Sequence, residues 1–269
     1  MSGISALAGL PLIYPRSVDL ASGNLLVGLR NGSIIEVKSA LDATPQEPRV
    51  IVQSHFEGEA WGLMTLDDGQ VVTCGDDNRV MLFDSTNKQY VRGGKISDKK
   101  MKDPTKKGLA STQSGMPPNK QARTVAVSKK HSHLVVCNNL GKVSIRSFDD
   151  FDKKIGSLKD AKHWCEIAKY SPCEEYLALG SHDNHVYIYH IDSETHEYSL
   201  YAKDARNHAW INAIDWTVDS KHLRTSSGDY EVLYYNLEEK SGDTHGSQTV
   251  ADKVWASNTV KYGDDRQGI

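Results

Sequence analysis

The stretch YLALGSHDNHVYIYHI, residues 176–191, decides the fold. It reads as a short apolar strand, a polar turn and a second strand rich in Val, Ile and Tyr, which is the pattern of a β-hairpin. It also holds His182, Asp183, His185 and His190, a set that suggests a metal or catalytic cluster. However, His185 and His190 are five residues apart on a strand, so their side chains point to opposite faces. We therefore interpret the stretch as a hairpin and predict neither a metal site nor a catalytic site.

The hairpin pattern recurs along the chain, and internal repetition of this kind is typical of repeat architectures. The other copies are NLLVGLRNGSIIEV (24–37), QVVTCGDDNRVMLFD (70–84), HLVVCNNLGKVSIRSF (133–148) and HLRTSSGDYEVLYYNL (222–237). A further apolar strand precedes the hairpins, as in EAWGLMTLDDG and AWINAIDWTVDS, and we expect an outer strand to follow each. The predicted unit is a four-stranded blade.

The spacing of the repeats favours a propeller. One apolar position of the second strand aligns all five copies: Ile34, Val80, Val143, Val186 and Val232. Successive positions are 46, 63, 43 and 46 residues apart, and three of these spacings fit a propeller blade of about 40–45 residues. The sequence therefore predicts an all-β propeller segment over residues 1–269, with five recognisable blades and part of a sixth, rather than a sandwich or a barrel.

The hairpin turns carry a recurring acidic residue. Asp77, Asp183 and Asp229 each lie three residues before the aligned apolar position, and Asn31 takes that place in the first copy. Short Asp and Asn side chains accept hydrogen bonds from nearby backbone N–H groups and stabilise a turn. In the third copy the residue is Leu140, so that turn must be held differently.

Composition and targeting signals indicate a folded protein in a reducing compartment. Of the 269 residues, 38% are hydrophobic and 25% are charged, which allows a packed core. No apolar run approaches the roughly 18–20 residues that cross a bilayer, and the N-terminus lacks the positively charged start of a signal peptide. None of the four cysteines forms a C-x-x-C pair, so the sequence supports neither a zinc site nor a disulfide framework. We expect a cytoplasmic protein without a cofactor.

Charge is distributed unevenly. Residues 86–120 carry nine Lys/Arg and two Asp, a balance of +7. Because the net charge of the chain is −3, the other residues together carry −10. This segment explains the long spacing of 63, and we predict a basic, flexible insertion between blades. Its closely spaced lysines are candidates for contact with an acidic partner: Lys99, Lys100, Lys102, Lys106 and Lys107. The alternative is a solvated loop without a partner.

These repeats resemble WD-repeat propellers, although LFD, SFDD, YHI and YNL replace the terminal Trp-Asp dipeptide. In NHAWINAIDW, His208 is similar to the histidine of the family's Gly-His pair. In that family this histidine joins a buried hydrogen-bond network with the turn aspartate of the same blade. The resemblance therefore implies a pair of His208 with Asp229, and a second, weaker candidate pair of His55 with Asp77.

A closer resemblance is to the echinoderm microtubule-associated protein-like family. The stretches that carry it are GEAWGL (58–63), TCGDDNRVMLFD (73–84), LALGSHDNHVYIY (177–189), SGDYEVLYY (227–235) and VKYGDDRQGI (260–269). They look like consecutive blades of the second propeller in that family's tandem propeller region. The resemblance implies tubulin or microtubules as the partner.

The chain departs from the family in several respects. The family's coiled coil, basic N-terminal region and HELP motif have no counterpart, and the insertion at 86–120 is unusual. Five repeats and part of a sixth do not close a seven-bladed ring, and open strand edges favour aggregation. We therefore expect that this chain is part of a longer polypeptide or a partial gene model, or that another chain supplies the missing blades.

The residues alone indicate a propeller that acts as an interaction module, and the family resemblance implies a non-enzymatic scaffold on microtubules, in the cytoplasm or in a ciliary axoneme. The alternative is a general WD-repeat adaptor between proteins with no role on tubulin, because a fold does not specify a function. No G-x-S-x-G, H-E-x-x-H or phosphate-cradling glycine loop indicates an enzyme. Few aromatic residues accompany the lysines, which argues against nucleic acid as a partner. Trp61, Trp164 and Trp210 begin inner strands and either pack in the core or anchor a partner.

Overall fold

Five antiparallel sheets make up almost all of the computed structural model, which describes residues 15–29, 33–44, 46, 48–53, 55, 59–96 and 121–260. Each sheet has four strands, and the strand order in space follows the order in sequence. The one helix among the described residues is the short α1 (Gly246–Thr249). No described helix is long and apolar enough to cross a membrane.

The five sheets are blades 1 to 5 in chain order. Blade 1 contains β1 (Pro15–Ala21), β2 (Asn24–Leu29), β3 (Ile34–Val37) and β4 (Arg49–Val52). Blade 2 contains β5 (Ala60–Thr65), β6 (Gln70–Gly75), β7 (Arg79–Asp84) and β8 (Gln89–Lys95). Blade 3 contains β9 (Ala122–Ser128), β10 (His133–Asn138), β11 (Val143–Ser147) and β12 (Lys154–Leu158). Blade 4 contains β13 (Cys165–Tyr170), β14 (Tyr176–Ser181), β15 (Val186–Ile191) and β16 (Tyr198–Asp204). Blade 5 contains β17 (Ile211–Trp216), β18 (His222–Ser227), β19 (Val232–Asn236) and β20 (Ser241–Asp243).

This arrangement confirms the predicted fold class. Each predicted hairpin is the second and third strand of one blade, and a first strand and an outer strand flank it. The first strands β5, β9, β13 and β17 pack beside one another in succession, as the inner strands of a propeller do. Blade 1 packs on blade 2 through β4 and β8.

The core lies between neighbouring blades. Val135 of blade 3 belongs to one apolar cluster with Leu177 and Tyr189 of blade 4, and all three are at most 1% exposed. Ile188 of blade 4 joins Trp216 of blade 5 in the same way. Each such side chain stabilises the fold by about 1.5–3 kcal/mol through burial. Strands covered on both faces explain why the second and third strands read as near-continuous apolar runs.

In blades 2 to 5, the turns between second and third strands share one backbone conformation. Their third residue has a left-handed φ: Asn78 at 59°, Gly141 at 74°, Asn184 at 67° and Tyr230 at 68°. Glycine and asparagine adopt this region readily, whereas a bulky aromatic residue there is strained. Tyr230 is therefore the exception, and its side chain is 70% exposed.

The side chains before this position hold the turns. Asp77 Oδ1 accepts the N–H of Arg79 at 3.1 Å, and Asp183 Oδ1 accepts the N–H of His185 at 3.3 Å. In blade 3, Asn138 does this instead of Leu140, and its Oδ1 accepts the N–H groups of Leu140 at 2.9 Å and Lys142 at 3.0 Å. Asn31 lies outside the described residues.

The basic insertion begins later in the chain than the sequence indicates. The predicted start at residue 86 is wrong, because β8 completes blade 2 by pairing along β7. Ile96 then donates its N–H to the carbonyl of Asn78, and the carbonyl of Gln121 accepts the N–H of Asn139. Ile96 and Gln121, the described residues that flank the segment 97–120, therefore lie beside second-to-third-strand turns. The candidate contact residues Lys99, Lys100, Lys102, Lys106 and Lys107 lie outside the described residues.

Candidate functional site

A β-bulge interrupts the first strand of every blade. In β13, Cys165 pairs with Ser181 and Ile167 pairs with Gly180, which leaves Glu166 as the extra residue. The same register shift occurs at the corresponding place in the other four blades. The bulged residues are Arg16, Trp61, Arg123, Glu166 and Asn212. Bulges redirect a side chain away from the sheet and are frequent next to functional sites.

The bulges lie at the same end of the blades as the second-to-third-strand turns. In blades 2 to 5, the residue two positions before the bulge accepts a backbone hydrogen bond from the turn, as Trp164 does from His182 at 2.8 Å and Trp210 from Gly228 at 2.9 Å. This bond ties the start of the inner strand to the turn. We call this end of the propeller, with its five bulged residues and its turns, the bulge face.

A row of stacked side chains crosses the bulge face from blade 2 to blade 5. The Arg123 guanidinium lies 4.1 Å from the ring centre of Trp61 and 5.5 Å from that of Trp164. Trp164 stacks on His182 with ring centres 3.8 Å apart, and His182 lies nearly parallel to Trp210 at 5.7 Å. We call these five residues the stacked row.

Carboxylates fix two side chains of the row, Arg123 and His182. Arg123 Nη1 donates to Asp76 Oδ1 at 2.9 Å, and His182 Nε2 bonds Glu166 Oε2 at 2.8 Å. Charge-assisted hydrogen bonds of this kind hold a guanidinium in a fixed plane, which positions it over the Trp61 ring. The row is therefore a preorganised surface rather than a set of independent side chains.

The tryptophans divide between the core and the bulge face. Trp216 is 1% exposed in the core, whereas Trp61 and Trp210 are each 44% exposed. Of the two alternatives for the tryptophans at the strand starts, the exposed positions of Trp61 and Trp210 favour partner contact over core packing. Exposed, rigid aromatic side chains are enriched where proteins bind proteins.

The predicted pair of His208 with Asp229 does not form a buried network. His208 is on the surface, with its side chain 79% exposed, and its Nδ1 bonds Glu231 Oε2 at 3.1 Å. This hydrogen bond raises the pKa of His208. Asp229 accepts a hydrogen bond from Ser227 Oγ, which lowers the pKa of Asp229.

The second candidate pair, His55 with Asp77, forms the buried hydrogen bond that the resemblance implies for His208 with Asp229. His55 Nδ1 bonds Asp77 Oδ1 at 2.8 Å, His55 Nε2 bonds Thr73 Oγ1 at 2.9 Å, and Asp77 is 3% exposed. The reason for the difference is spacing. His55 lies four residues before Glu59, which accepts the turn hydrogen bond in blade 2, whereas His208 lies only two residues before Trp210. The shorter separation leaves His208 exposed on the surface of its turn, whereas His55 reaches the buried Asp77.

The histidines of the opening stretch support their blade in the described structure. Burial raises the pKa of Asp183, but hydrogen bonds from the Lys162 N–H, at 2.8 Å, and the Tyr187 hydroxyl, at 2.7 Å, outweigh it, and the pKa is lowered overall. His185 Nδ1 lies 3.3 Å from Asp183 Oδ1. At the other end of the strand, the His190 ring packs edge-on against the Tyr176 ring. His182 belongs to the stacked row.

We expect Asp77→Asn to lower the free energy of unfolding by about 1–2 kcal/mol, because it weakens a buried hydrogen bond to His55. Asp229→Asn, at the corresponding exposed position, is the matched control and should change the value by less than about 0.5 kcal/mol. Denaturant unfolding of the two variants measures both values. Equal effects would show that Asp77 has no special role in blade 2.

A family model described as the echinoderm microtubule-associated protein second beta-propeller matches residues 60–269. The chain belongs to this family. The match covers blades 2 to 5, including four of the five bulges and the whole stacked row. The family resemblance that the sequence indicates is confirmed.

Three relatives illustrate the similarity. The ciliary WD repeat-containing protein ctxp80 of Euplotoides octocarinatus is 35% identical over 92% of this chain and 33% of its own length. The 77 kDa echinoderm microtubule-associated protein of Lytechinus variegatus is 30% identical over 91% of this chain and 33% of its own. Echinoderm microtubule-associated protein-like 1 of Mus musculus is 29% identical over 92% of this chain and 27% of its own. The chain thus spans about a third or less of the length of these relatives.

Proposed function

We propose that this chain is a non-enzymatic scaffold segment that binds tubulin or microtubules. Membership in the family carries the proposal, since two of the relatives are named as microtubule-associated proteins. The bulge face is the surface that we assign to partner binding. Its exposed tryptophans and the fixed guanidinium of Arg123 have the composition of a protein-docking surface.

We assign the tubulin contact to the basic segment 97–120. The described residues that flank it, Ile96 and Gln121, are bonded to turns of blades 2 and 3 on the bulge face. Lys99, Lys100, Lys102, Lys106 and Lys107 then supply positive charge for an acidic protein surface. A cytoskeletal location follows from this function. A ciliary one is supported by the name of the Euplotoides octocarinatus relative.

A second candidate function is a WD-repeat adaptor between other proteins. The stacked row favours it, because exposed tryptophans anchor many kinds of protein partner and do not by themselves select tubulin. The two functions make opposite predictions about retention on microtubules.

The first blade offers a surface for completing the ring. Val18 and Leu20 lie on one face of β1 and are 68% and 46% exposed. We propose that a further blade, from the same polypeptide or from another chain, covers this face. Burial of the two side chains would stabilise that contact by a few kcal/mol, at about 25 cal/mol per Å².

Co-sedimentation with stabilised microtubules across a salt series tests the tubulin proposal. We expect binding at low salt that falls steeply as salt rises, because exposed charges are screened over roughly 8–10 Å at physiological ionic strength. A variant with the five lysines changed to glutamine should lose most of its binding. The matched variant with the same five lysines changed to arginine keeps the charge and should bind like the parent chain.

If the parent chain stays in the supernatant at low salt while its fold is intact, direct microtubule binding is wrong and the adaptor function is favoured. If the glutamine and arginine variants bind equally, the lysines are not the contact. The same test can be made by deleting the basic segment. The deletion must remove residues 97–120 only, because β8 ends at Lys95 and belongs to blade 2.

A further inference from the structure

Trp210 is a partly exposed aromatic side chain at one end of the stacked row. Its indole lies against Gly228, where an added Cβ would come within 2.6 Å of the ring. The glycine therefore lets the ring lie flat on the turn. His182 lies nearly parallel to the indole with ring centres 5.7 Å apart, and 44% of Trp210 stays exposed.

Carboxylates lie in the turn that carries Gly228 and on the neighbouring blade. Asp229 and Glu231 follow Gly228 in the same turn, and their oxygens lie with a His208 ring nitrogen in a group no more than 4.8 Å across. Glu166, bonded to His182, is on the neighbouring blade, and its side chain is 37% exposed. The surface next to Trp210 thus combines a π face with several hydrogen-bond acceptors of negative charge.

At the other end of the row, an indole and a carboxylate share one guanidinium of this chain. There, the Arg123 guanidinium lies 4.1 Å over Trp61 and donates to the carboxylate of Asp76, the turn residue that corresponds to Gly228 of blade 5. A guanidinium satisfies both partners at once, because its plane stacks on the indole while its edge donates to the carboxylate. Trp210, with Asp229 and Glu231, offers the same combination without an arginine of this chain over its ring among the described residues.

We propose that Trp210, Asp229 and Glu231 form a binding site for an arginine side chain of a partner peptide. The guanidinium stacks on Trp210 and donates to the two carboxylates, as Arg123 does to Trp61 and Asp76. In the absence of the partner, His208 is hydrogen-bonded to Glu231. Because His208 is largely exposed, the arginine displaces it at little cost.

This site is separate from the proposed tubulin contact, since it takes a cation whereas the lysine segment offers cations. It also differs from a metal site in the expected role of His208. For a divalent ion, His208 would be a ligand, and its loss would weaken binding. For an arginine, His208 is a competitor for Glu231, and its loss would strengthen binding.

NMR titration of the full chain tests the proposal through the indole N–H signals of its five tryptophans. The probe is the blocked pentapeptide Gly-Ser-Arg-Ser-Gly, and the control peptide has citrulline, a neutral isostere, in place of arginine. We expect the arginine peptide to shift the Trp210 signal saturably and the citrulline peptide to bind at least tenfold more weakly. Trp210→Phe assigns the signal.

Three variants complete the design. Asp229→Asn with Glu231→Gln should weaken arginine binding at least fivefold, and His208→Ala should tighten it two- to fivefold. Trp210→Ala lacks the indole reporter, so its binding is followed by the backbone N–H signal of Gly228 and should be abolished. The other four indole signals report whether each variant is folded. Equal binding of the two peptides, or no shift at Trp210, would overturn the proposal. So would saturable binding of ZnCl2 that His208→Ala removes while the arginine peptide leaves the signals unchanged.

Discussion

Replacement of Asp215 by alanine is expected to lower the free energy of unfolding by about 3–5 kcal/mol, because it removes one partner of a buried ion pair. Asp215 is fully buried, and Arg224, which donates to it at 3.4 Å, is 1% exposed. Lys169 of blade 4 donates to the same carboxylate at 3.1 Å. The variant would leave these cations facing a cavity without their counter-charge.

Asp215 also fastens the segment that follows blade 5. Its carboxylate accepts the N–H groups of Thr259 and Val260, each at 2.9 Å, and the hydroxyl of Ser257 at 2.6 Å. Burial alone would raise the pKa of Asp215, but these hydrogen bonds and Lys169 lower it to about 2. The carboxylate therefore stays ionised throughout the physiological range and holds residues 257–260 on β17.

Chemical denaturation measured at pH 7 checks this prediction. Asp252→Ala is the matched control, because Asp252 is an exposed aspartate of the same region and its loss should change the value by less than about 0.5 kcal/mol. A loss below about 1 kcal/mol in Asp215→Ala would show that Arg224 and Lys169 find other partners and that the network is not a main support of blade 5.

The stability of the protein is expected to fall by about 2 kcal/mol between pH 7 and pH 5 because of His133 alone. Burial lowers the pKa of His133 to about 4, and the nearby His131 and His196 act in the same direction. The unfolded chain, with an ordinary histidine pKa near 6.5, takes up a proton over this interval while the folded protein does not. Stability is therefore fully present above about pH 6.5 and is lost as the pH falls towards 4.

The surroundings of His133 join two blades. His133 Nδ1 bonds the hydroxyl of Tyr198 at 3.0 Å, and that hydroxyl bonds Tyr170 at 2.6 Å. His131 Nδ1 lies 2.7 Å from His196 Nδ1, a contact that requires one ring to donate and the other to accept. Burial also lowers the pKa of His131, which adds to the same pH dependence.

Denaturant midpoints at several pH values, compared between the parent chain and His133→Gln, isolate this contribution. The variant lacks the titrating group, so its loss of stability between pH 7 and pH 5 should be smaller by about 2 kcal/mol. His163→Gln is the control, since His163 is exposed, and its pH profile should follow the parent chain. Parallel profiles for the parent and His133→Gln would contradict the prediction.

The blades could be predicted from the sequence because a hairpin is formed by residues that are adjacent in the chain. Strand, turn and strand are adjacent in the chain, and the period of the repeats carries the number of blades, so the stretch 176–191 and its four copies could be recognised without tertiary contacts. The recurring turn residues Asp77 and Asp183 were predictable for the same reason, since each accepts a bond two residues away.

The bulge face could not be predicted in this way, because it is formed by residues of different blades. Trp61 and Trp164 are more than a hundred residues apart in the chain, and they meet only because β5, β9 and β13 pack side by side. A bulge has no residue preference strong enough to be read from Glu166 or Asn212, although the tryptophans at the strand starts were a signal. Spacing also decided between His55 and His208. The residue types were evident in the sequence, but a difference of two backbone positions placed one histidine against a buried aspartate and the other on the surface.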